Sequence, residues 1–239
     1  MPSSGAGTGV GGLFDRSADR YDRINTAITF GQDRRWRRWA ARSVVRRPGV
    51  RVLDACAGTG LVGLEAARLG ARVTLADVSP GMLARARERA AARRLEVSTC
   101  LVDLAGPQAD ADLAEFDGIT LAFGLRYFGD AVAVMRRLAA ALRPDGELVL
   151  LEAVLPAGGL VARGASFYFF HVAPRLAVLL GGRRELYDCL TASVRSLGTA
   201  ADAAEVLAAA GFDVVRRRRF VGGLVIGVVA RQTRGTVAG

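Results

Sequence analysis

The feature that most constrains the fold is a regular alternation of short apolar segments with segments of helical periodicity between residues 50 and 155. The apolar segments have the length of strands and read "VRVLDA", "ARVTLAD", "EVSTCLVD", "FDGITLAF" and "ELVLLEAVL". Helical patterns separate them, and one of these begins at Pro80, since proline is favoured at the first helical position. Strands that alternate with helices predict an α/β fold, a mainly parallel sheet with helices on both faces.

Further segments lie on either side of this alternation. Helices are predicted over about 13–28 and 33–46, before the first strand, and aromatic-rich helices over 158–198. A turn is predicted at 144–146, a helix over 200–212, and two closing strands over about 212–220 and 223–231. We therefore expect one domain over 13–231, with 158–198 inserted as a helical lid. Residues 1–12 are expected to be a disordered lead and 232–239 a flexible tail.

The charge does not by itself indicate nucleic-acid binding. The chain of 239 residues has a net charge of +10, and all 33 of its basic residues are arginine. A complete absence of lysine favours a compositional bias over a selected basic groove. We expect solvated arginine faces, including the run Arg216–Arg219 on a predicted strand, and keep an anionic lipid surface as the alternative.

Cysteine usage and hydropathy indicate a cytoplasmic protein without a metal site. The three cysteines are widely spaced and form no CxxC pattern, which is typical of a reducing compartment. The N-terminal residues are small and polar, unlike those of a targeting signal. The most apolar stretch, 165–182, is interrupted by His171, Pro174 and Arg175, so we expect it to line a pocket or touch a membrane, not to span one.

The segment "VLDACAGTG" (52–60) predicts a cofactor loop at the end of the first strand. Ligands of open parallel sheets bind at the carboxyl ends of the strands. Asp54 lies at such an end, and the small residues that follow let the backbone approach a ligand closely; these are Cys56, Ala57, Gly58 and Gly60.

Charge favours S-adenosylmethionine over a dinucleotide at this loop. The chain lacks G-x-G-x-x-G, and Asp54 would repel a pyrophosphate but attract the ammonium of S-adenosylmethionine. Asp77 ends the second strand, where an acid usually binds ribose hydroxyls. Asp103 follows the third strand and is placed to accept a hydrogen bond from the adenine amino group.

From about Leu13 to Val229 the chain resembles the quinone C-methyltransferases, which methylate demethylmenaquinol and the ubiquinone precursor. The matching stretches are "LFDRSADRYDRIN", "TFGQDRRWRR", "VLDACAGTG", "LADVSPGML", "FDGITLAFGLR", "LVLLEAVLP", "FFHVAPR", "LTASVRSL" and "GGLVIGVVARQ". The resemblance implies a Rossmann-like class I methyltransferase fold with a seven-stranded sheet, S-adenosylmethionine, and an electron-rich aromatic ring as methyl acceptor. It also adds Val78, Met82, Leu104 and Phe123 to the cofactor site.

For the reaction itself, the resemblance leads to a small set of candidate residues. Arg126 is expected to offer its guanidinium to a phenolate oxygen, and His171, the single histidine, to transfer a proton or else to cap a helix. Tyr21 and Tyr127 are expected to bind a substrate oxygen, and Glu152 to hold Arg126 or an N-terminal group. The expected substrate contacts are completed by Asn25, Phe167, Phe170 and Tyr187. Which residue is the base stays open.

Two departures from the family pattern leave the substrate open. The family usually has asparagine after "FGLR" and an aromatic residue two positions after Tyr187, where this chain has Tyr127 and Cys189. A specialised-metabolism methyltransferase acting on a polyketide or another hydroxylated aromatic is therefore an alternative. So is a non-methylating cyclase that keeps the cofactor fold.

The sequence says less about binding partners other than a small aromatic or quinol substrate. A nucleic-acid methyltransferase would carry a D/N-P-P-Y type signature where this chain reads "FGLRY", so nucleic acid is not expected. The interpretation leaves open a prenyl tail on the substrate, a peripheral contact with the inner face of the membrane, and a homodimer.

Overall fold

The computed structural model describes residues 18–106, 113 and 115–233, with side chains from Asp22 onward. The predicted lead, residues 13–17 of the predicted first helix, the side chain of Tyr21 and the tail from 234 lie outside the described residues. The last strand includes Gln232, one residue into the predicted tail.

Seven strands form one sheet in the order β3-β2-β1-β4-β5-β7-β6. All adjacent pairs are parallel except the two made by β7, which runs antiparallel to both β5 and β6. The mainly parallel α/β sheet predicted from the alternation is thereby confirmed. The strands are β1 (Arg51–Ala55), β2 (Arg72–Asp77), β3 (Val97–Leu101), β4 (Phe116–Ala122), β5 (Leu142–Ala153), β6 (Phe212–Phe220) and β7 (Val225–Gln232).

Helices cover both faces of the sheet, and the first two of them precede it in the sequence. They are α1 (Ala18–Ile28), α2 (Gln32–Val44), α3 (Leu61–Arg68), α4 (Pro80–Ala92), α5 (Ala131–Ala141), α6 (Leu160–Phe167), α7 (Ala173–Leu179), α8 (Arg184–Leu197) and α9 (Ala200–Ala209). A π-helical turn, Tyr168–Val172, joins α6 to α7, and short 3₁₀ turns lie at Leu125–Tyr127 and Val221–Gly223. Within the described part of the chain, no helix is long and apolar enough to cross a membrane.

Side-chain caps fix several helix starts. Ser79 Oγ accepts a hydrogen bond from Met82 N at 3.0 Å, just before Pro80 opens α4. Thr199 and Asp202 form a reciprocal capping box at the start of α9. These local signals explain why helix positions are close to those expected from the sequence.

Helix α2 packs closely on the sheet because two glycines leave room for it. A Cβ on Gly118 of β4 would lie 2.4 Å from Val44 Cγ2, and one on Gly227 of β7 would lie 2.2 Å from Trp39 Cζ3. Any larger residue at either position would push the helix away. The N-terminal helical segment is thus held against the centre of the sheet.

The expected turn at 144–146 is wrong, because these residues belong to β5. Leu142 already pairs with Phe116, and Glu147 pairs with Gly118, so the register shifts between the two pairs. The extra β5 residues form an irregularity inside the strand instead of a separate connection. Arg143 Nη1 donates to Asp117 Oδ1 at 2.9 Å across this irregularity.

The arginine run Arg216–Arg219 is exposed on β6, an edge strand, as both a solvated face and a lipid-binding face require. Arg216 also packs inward: its guanidinium carbon lies 5.8 Å from the centroid of the Trp39 ring, and Nη2 donates to Ser43 Oγ at 2.9 Å. Charged side chains on an edge strand oppose pairing with another sheet.

Candidate active site at the carboxyl edge of the sheet

Asp54 at the end of β1 is a buried structural acid. Its Oδ2 accepts a hydrogen bond from Gly63 N at 2.8 Å and its Oδ1 one from Thr120 Oγ1 at 2.6 Å. Only 1 % of the residue is exposed, and burial raises the pKa of its carboxyl to about 6 against the two hydrogen bonds. Asp54 thus joins α3, β1 and β4 below the loop, and its predicted contact with a cofactor ammonium stays a prediction.

Asp77 at the end of β2 shapes the glycine-rich loop. Its Oδ2 accepts from Gly58 N at 2.7 Å and its Oδ1 from Ser79 N at 2.9 Å. Gly58 has φ +54°, and a Cβ there would meet no heavy atom within 4 Å, so the loop presents open backbone. Gly60, at φ +77°, instead faces inward, where a Cβ would lie 3.0 Å from Ala86 Cβ.

The other predicted cofactor residues flank this loop at different depths. Asp103 is exposed, and its Oδ1 accepts from Ala105 N at 2.9 Å. Val78 is 40 % exposed, whereas Met82 and Leu104 are each 3 % exposed. Val78 is therefore available to a ligand surface, while the two buried residues support the loop from beneath.

Cys56 lies at the centre of the strand ends. Its backbone has φ +53°, and a Cβ on Gly124 would lie 2.9 Å from Cys56 Cβ, so the loops after β1 and β4 touch here. Burial raises the pKa of the Cys56 thiol well above its usual value, with further contributions from the negative charges of Asp77, Asp54, Glu152 and Asp103. The thiol is therefore neutral, as expected of a small loop residue.

The chemistry of this donor set fits S-adenosylmethionine. The four carboxylates whose charges reach Cys56 lie at the ends of β1, β2 and β5 and just after β3. Such a negative site favours a sulfonium and an ammonium and opposes a pyrophosphate. Asp77 ends β2, where an acid usually binds ribose hydroxyls. Together with the backbone N–H groups of the loop it completes a site that can hold the adenosine and amino acid portions of the cofactor.

Helix α1 is tied to the cofactor loop by Asp22. Its Oδ2 accepts from Thr59 Oγ1 at 2.7 Å and pairs with Arg89 Nη1 of α4 at 2.5 Å. The N-terminal segment therefore contacts the loop directly, as a cover over the strand ends requires. Asn25, predicted to contact substrate, lies one turn further along α1 and is half-buried.

Arg126 is the hub of a buried polar cluster after β4. Its Nε donates to Ser193 Oγ of α8 at 3.0 Å, and its Nη1 donates to Glu152 Oε1 of β5. The side chain is 5 % exposed, and the Glu152 side chain 0 %. Of the two partners expected for Glu152, Arg126 is confirmed. Helix α8, in the segment 158–198 that the sequence predicts to be a lid and that is called the lid below, is bound to the same arginine.

Tyr127 lies against Arg126 and the lid helix. The guanidinium carbon of Arg126 is 4.8 Å from the Tyr127 ring centroid, and its Nη2 is 3.4 Å from the hydroxyl. Burial raises the pKa of Tyr127, and the charge of Arg126 and a hydrogen bond to Ser193 oppose this shift. Electrostatic interaction with Cys189 raises the pKa further. The two departures from the family pattern are therefore neighbours between the turn after β4 and α8.

Phe123 connects this cluster to α2. Its ring centroid lies 6.4 Å from that of Trp36, which in turn lies 6.3 Å from Phe220 of β6. Phe123 itself has φ +60°, and Arg126 lies over its ring at 5.7 Å. A non-glycine residue in this conformation stores strain that is typical of functional turns.

The lid helices pack on α1 through an apolar cluster that includes the predicted substrate residue Tyr187. This residue is 3 % exposed, burial raises its pKa above the usual value, and its hydroxyl has no hydrogen-bond partner among the described residues. Tyr168 adds a polar link, since its hydroxyl donates to the Ile28 carbonyl at 2.8 Å. Phe170 packs under Arg195 of α8, whose guanidinium carbon is 4.5 Å from the ring centroid.

His171 and Phe167 lie on the outer face of the lid. Both are exposed, and their ring centroids are 5.3 Å apart. They line an apolar groove of about 390 Å³ formed by residues of the π-turn and the ends of α6 and α7, with Val172, Arg175, Leu176 and Leu179. Nothing from the described strand ends lines this groove, so the proton-transfer role of His171 stays a prediction.

Sequence reasoning missed several residues that the structure brings to the site. Thr59 was inside the quoted loop and Asp22 inside the quoted opening stretch, but their bond spans 37 positions. Thr120 and Ser193 are ordinary strand and helix residues with no signal in the sequence. Among the described residues, no group of three or more His, Cys, Asp or Glu side chains is placed to hold a metal ion.

Comparison with protein families gives a match over nearly the whole chain. A model described as the ubiE/COQ5 methyltransferase family matches residues 3–231. The demethylmenaquinone methyltransferase of Mycobacterium marinum (strain ATCC BAA-535 / M) is 40 % identical over 217 residues, which cover 90 % of each chain. The protein of the same name from Mycobacterium tuberculosis (strain ATCC 25177 / H37Ra) is 37 % identical over 90 % of this chain and 89 % of its own.

Solved structures with the same fold are more distant in sequence. The 4+2 cyclase SpnF has a TM-score of 0.66 at 20 % identity, over 97 % of this chain and 98 % of its own. Magnesium protoporphyrin IX methyltransferase (ChlM) from Synechocystis PCC 6803, with bound SAH, has a TM-score of 0.63 at 20 % identity, over 90 % and 93 %. At this identity the likeness supports the class I methyltransferase fold alone.

Proposed function

The chain belongs to the ubiE/COQ5 methyltransferase family, and from this premise we propose that it methylates a ring carbon of a hydroquinone related to demethylmenaquinol. It is a methyltransferase that uses S-adenosylmethionine, as the sequence predicts. The observation that carries the choice of acceptor is the identity of 37–40 % with demethylmenaquinone methyltransferases along 90 % of this chain. The acceptor itself is our proposal for this protein.

When bound, S-adenosylmethionine supplies an electrophilic methyl group. The chain must then orient the acceptor ring, favour loss of the hydroxyl proton that makes the ortho carbon nucleophilic, and accept a proton. Arg126 is suited to favour loss of the hydroxyl proton. Glu152 and Ser193 hold its charge between β4, β5 and α8, where it would stabilise a phenolate. A guanidinium keeps its protons at neutral pH, so the base is another group.

Tyr127 supports a second candidate, an enzyme of specialised metabolism acting on a tail-less hydroxylated aromatic. Its ring lies 4.8 Å from the Arg126 guanidinium carbon and it contacts the lid helix, so it narrows the space beside the proposed phenolate site. A bulky residue here would change which ring fits.

The test separates these acceptors by product mass. Purified protein is incubated with deuterated-methyl S-adenosylmethionine and one acceptor at a time: short-chain demethylmenaquinol under reducing conditions, hydroxylated naphthoquinones, and polyketide phenols without a prenyl tail. Labelled C-methyl product from demethylmenaquinol supports the proposal, and product only from tail-less aromatics supports the second candidate. Asp77→Ala, which removes the acid that shapes the loop, is the control that should give no product.

We further propose that the outer face of the lid contacts an anionic membrane. From Ala153 to Arg184 the sequence contains four arginines and no acidic residue. Leu160, Val161 and Leu179 are exposed by 87 %, 71 % and 82 %. Exposed apolar side chains beside an excess of arginines are what a peripheral contact with anionic lipid requires, and a prenylated substrate would reside in such a bilayer. Arg184 also pairs with Asp188 at 3.6 Å, within the same helix.

Vesicle sedimentation tests this contact. Arg183→Glu with Arg184→Glu should abolish binding to vesicles rich in phosphatidylglycerol. Arg217→Glu with Arg219→Glu on the β6 edge makes the same change in net charge and should leave binding intact. An equal loss of vesicle binding in both double variants would show that only the overall charge matters and would contradict a specific contact. Absence of binding by the unmodified protein would also overturn the proposal.

A further inference from the structure

The amino acid portion of the cofactor poses an electrostatic problem at this site. It carries a carboxylate as well as an ammonium, and the strand ends around the loop carry four acids. A carboxylate brought among them needs donors of positive charge, because an unpaired buried charge is costly. The candidate cations are therefore those on the elements that cover the loop.

Arg37 on α2 is such a cation, and it is held in place. Its Nη1 donates to Asp33 Oδ2 at 2.6 Å, and Thr26 Oγ1 donates to the same oxygen at 2.9 Å. Asp33 is 2 % exposed, so this anchor is inside the protein. An anchored guanidinium loses little conformational freedom when it binds a second anion.

Arg37 lies near the glycine-rich loop, because its partner Asp33 also accepts from Thr26 of α1, one turn from Asp22, which accepts from Thr59 of that loop. Its charge also opposes the effect of burial on the pKa of Asp54. In the part of the chain that the structure describes, the guanidinium donates to Asp33 alone, which leaves Nε and Nη2 for a ligand. The side chain is 14 % exposed, so it is mostly buried yet reachable.

A second arginine close to the loop is paired with one acid in the same way. Arg89 of α4 lies 2.5 Å from Asp22, the acid that also accepts from Thr59. Its charge is balanced within the α1–α4 contact. Arg37 forms a similar pair with Asp33, and its Nε and Nη2 donate to no group among the described residues.

We propose that Arg37 binds the carboxylate of the methionine portion of S-adenosylmethionine, with Asp33 as the residue that positions it. The inference concerns the cofactor and involves no methyl acceptor. It can therefore fail or succeed independently of the proposed acceptor.

The test compares two ligands that differ by this one group. Dissociation constants for S-adenosylmethionine and decarboxylated S-adenosylmethionine are measured by calorimetry for the unmodified protein and for Arg37→Gln. A charged hydrogen bond of ordinary strength corresponds to a roughly 10- to 100-fold effect. Arg37→Gln should raise the dissociation constant of S-adenosylmethionine by this factor and change that of the decarboxylated ligand by less than about threefold.

Controls separate this effect from damage to the fold. Arg38→Gln makes the same change at the next position, where the side chain is exposed and bonds only the Arg34 carbonyl among the described residues, and should leave both constants unchanged. Asp33→Asn with Arg37→Gln removes the ion pair without leaving a buried charge, and should show the same selective loss as Arg37→Gln. Equal weakening of both ligands, or no weakening of either, would overturn the proposal.

Discussion

Glu152 on β5 and Arg126 after β4 form an ion pair that is almost completely shielded from water. Their side chains are 0 % and 5 % exposed, and Glu152 Oε1 also accepts from Ala153 N at 2.9 Å. Oε2 has no partner among the described residues. Burial raises the pKa of Glu152 while the charge of Arg126 opposes the shift. Through Ser193 the pair also holds the lid helix, so one contact joins sheet, turn and lid.

Glu152→Gln should therefore destabilise the protein strongly. It leaves the Arg126 charge buried without compensation, which typically costs about 3–5 kcal/mol. Urea unfolding measures the change. Glu88→Gln is the matched control, because its partner Arg85 forms an exposed pair with side chains 42 % and 63 % exposed, and such pairs contribute at most about 1 kcal/mol. A similar loss in both variants would contradict the special role of the buried pair.

Asp54 should make stability depend on pH below neutrality. Its folded-state pKa of about 6 lies above the ordinary 3.8, so the protonated form is favoured in the folded state. The stabilisation is complete below about pH 3.8 and is lost as pH rises through 6, by about 3 kcal/mol in total. The difference in unfolding free energy between the unmodified protein and Asp54→Asn should therefore decline between these values. A constant difference would show that Asp54 does not titrate in this window.

The same group should link cofactor binding to protons. A cationic ligand favours the ionised carboxylate, so affinity for S-adenosylmethionine should weaken as pH falls below about 6. Calorimetry at pH 6 in buffers of different ionisation enthalpy should detect proton release on binding. Asp54→Asn should bind more weakly and release fewer protons. Proton uptake by the unmodified protein would contradict the assigned pKa.

Gly63 should be intolerant of even a methyl group. A Cβ there would lie 2.3 Å from Leu75 Cδ2 and 3.0 Å from Asp54 Oδ2. Gly63→Ala should cost about 1–3 kcal/mol, because overpacking outweighs the gain in helix propensity. Gly164→Ala in α6 is the control, since its Cβ meets nothing within 4 Å, and thermal melting should show a gain of about 0.5–1 kcal/mol. Equal shifts in the two variants would contradict the packing argument.

Much of the fold follows from local pattern. The strand at 51–55 and the helix at Pro80 are specified by apolar periodicity and by capping within a few residues, and the acids at Asp54 and Asp77 follow their strands directly. Parallel strands must end at one edge of the sheet, so these acids are predicted neighbours. The turn at 144–146 was wrong because pairing with β4 begins at Leu142 and resumes at Glu147, which places the segment with the turn signal inside β5 as an irregularity.

The sequence by itself determined the α/β class, the glycine-rich loop after β1 and the exposed arginine run, because each depends on residues close together in the chain. Only the tertiary structure decided which side chains complete the site. Arg126 meets Ser193 across 67 positions, and Asp22 meets Thr59 across 37. Such contacts depend on how α1, α2 and the lid pack over the sheet, and packing of distant segments leaves no periodic signal in the sequence.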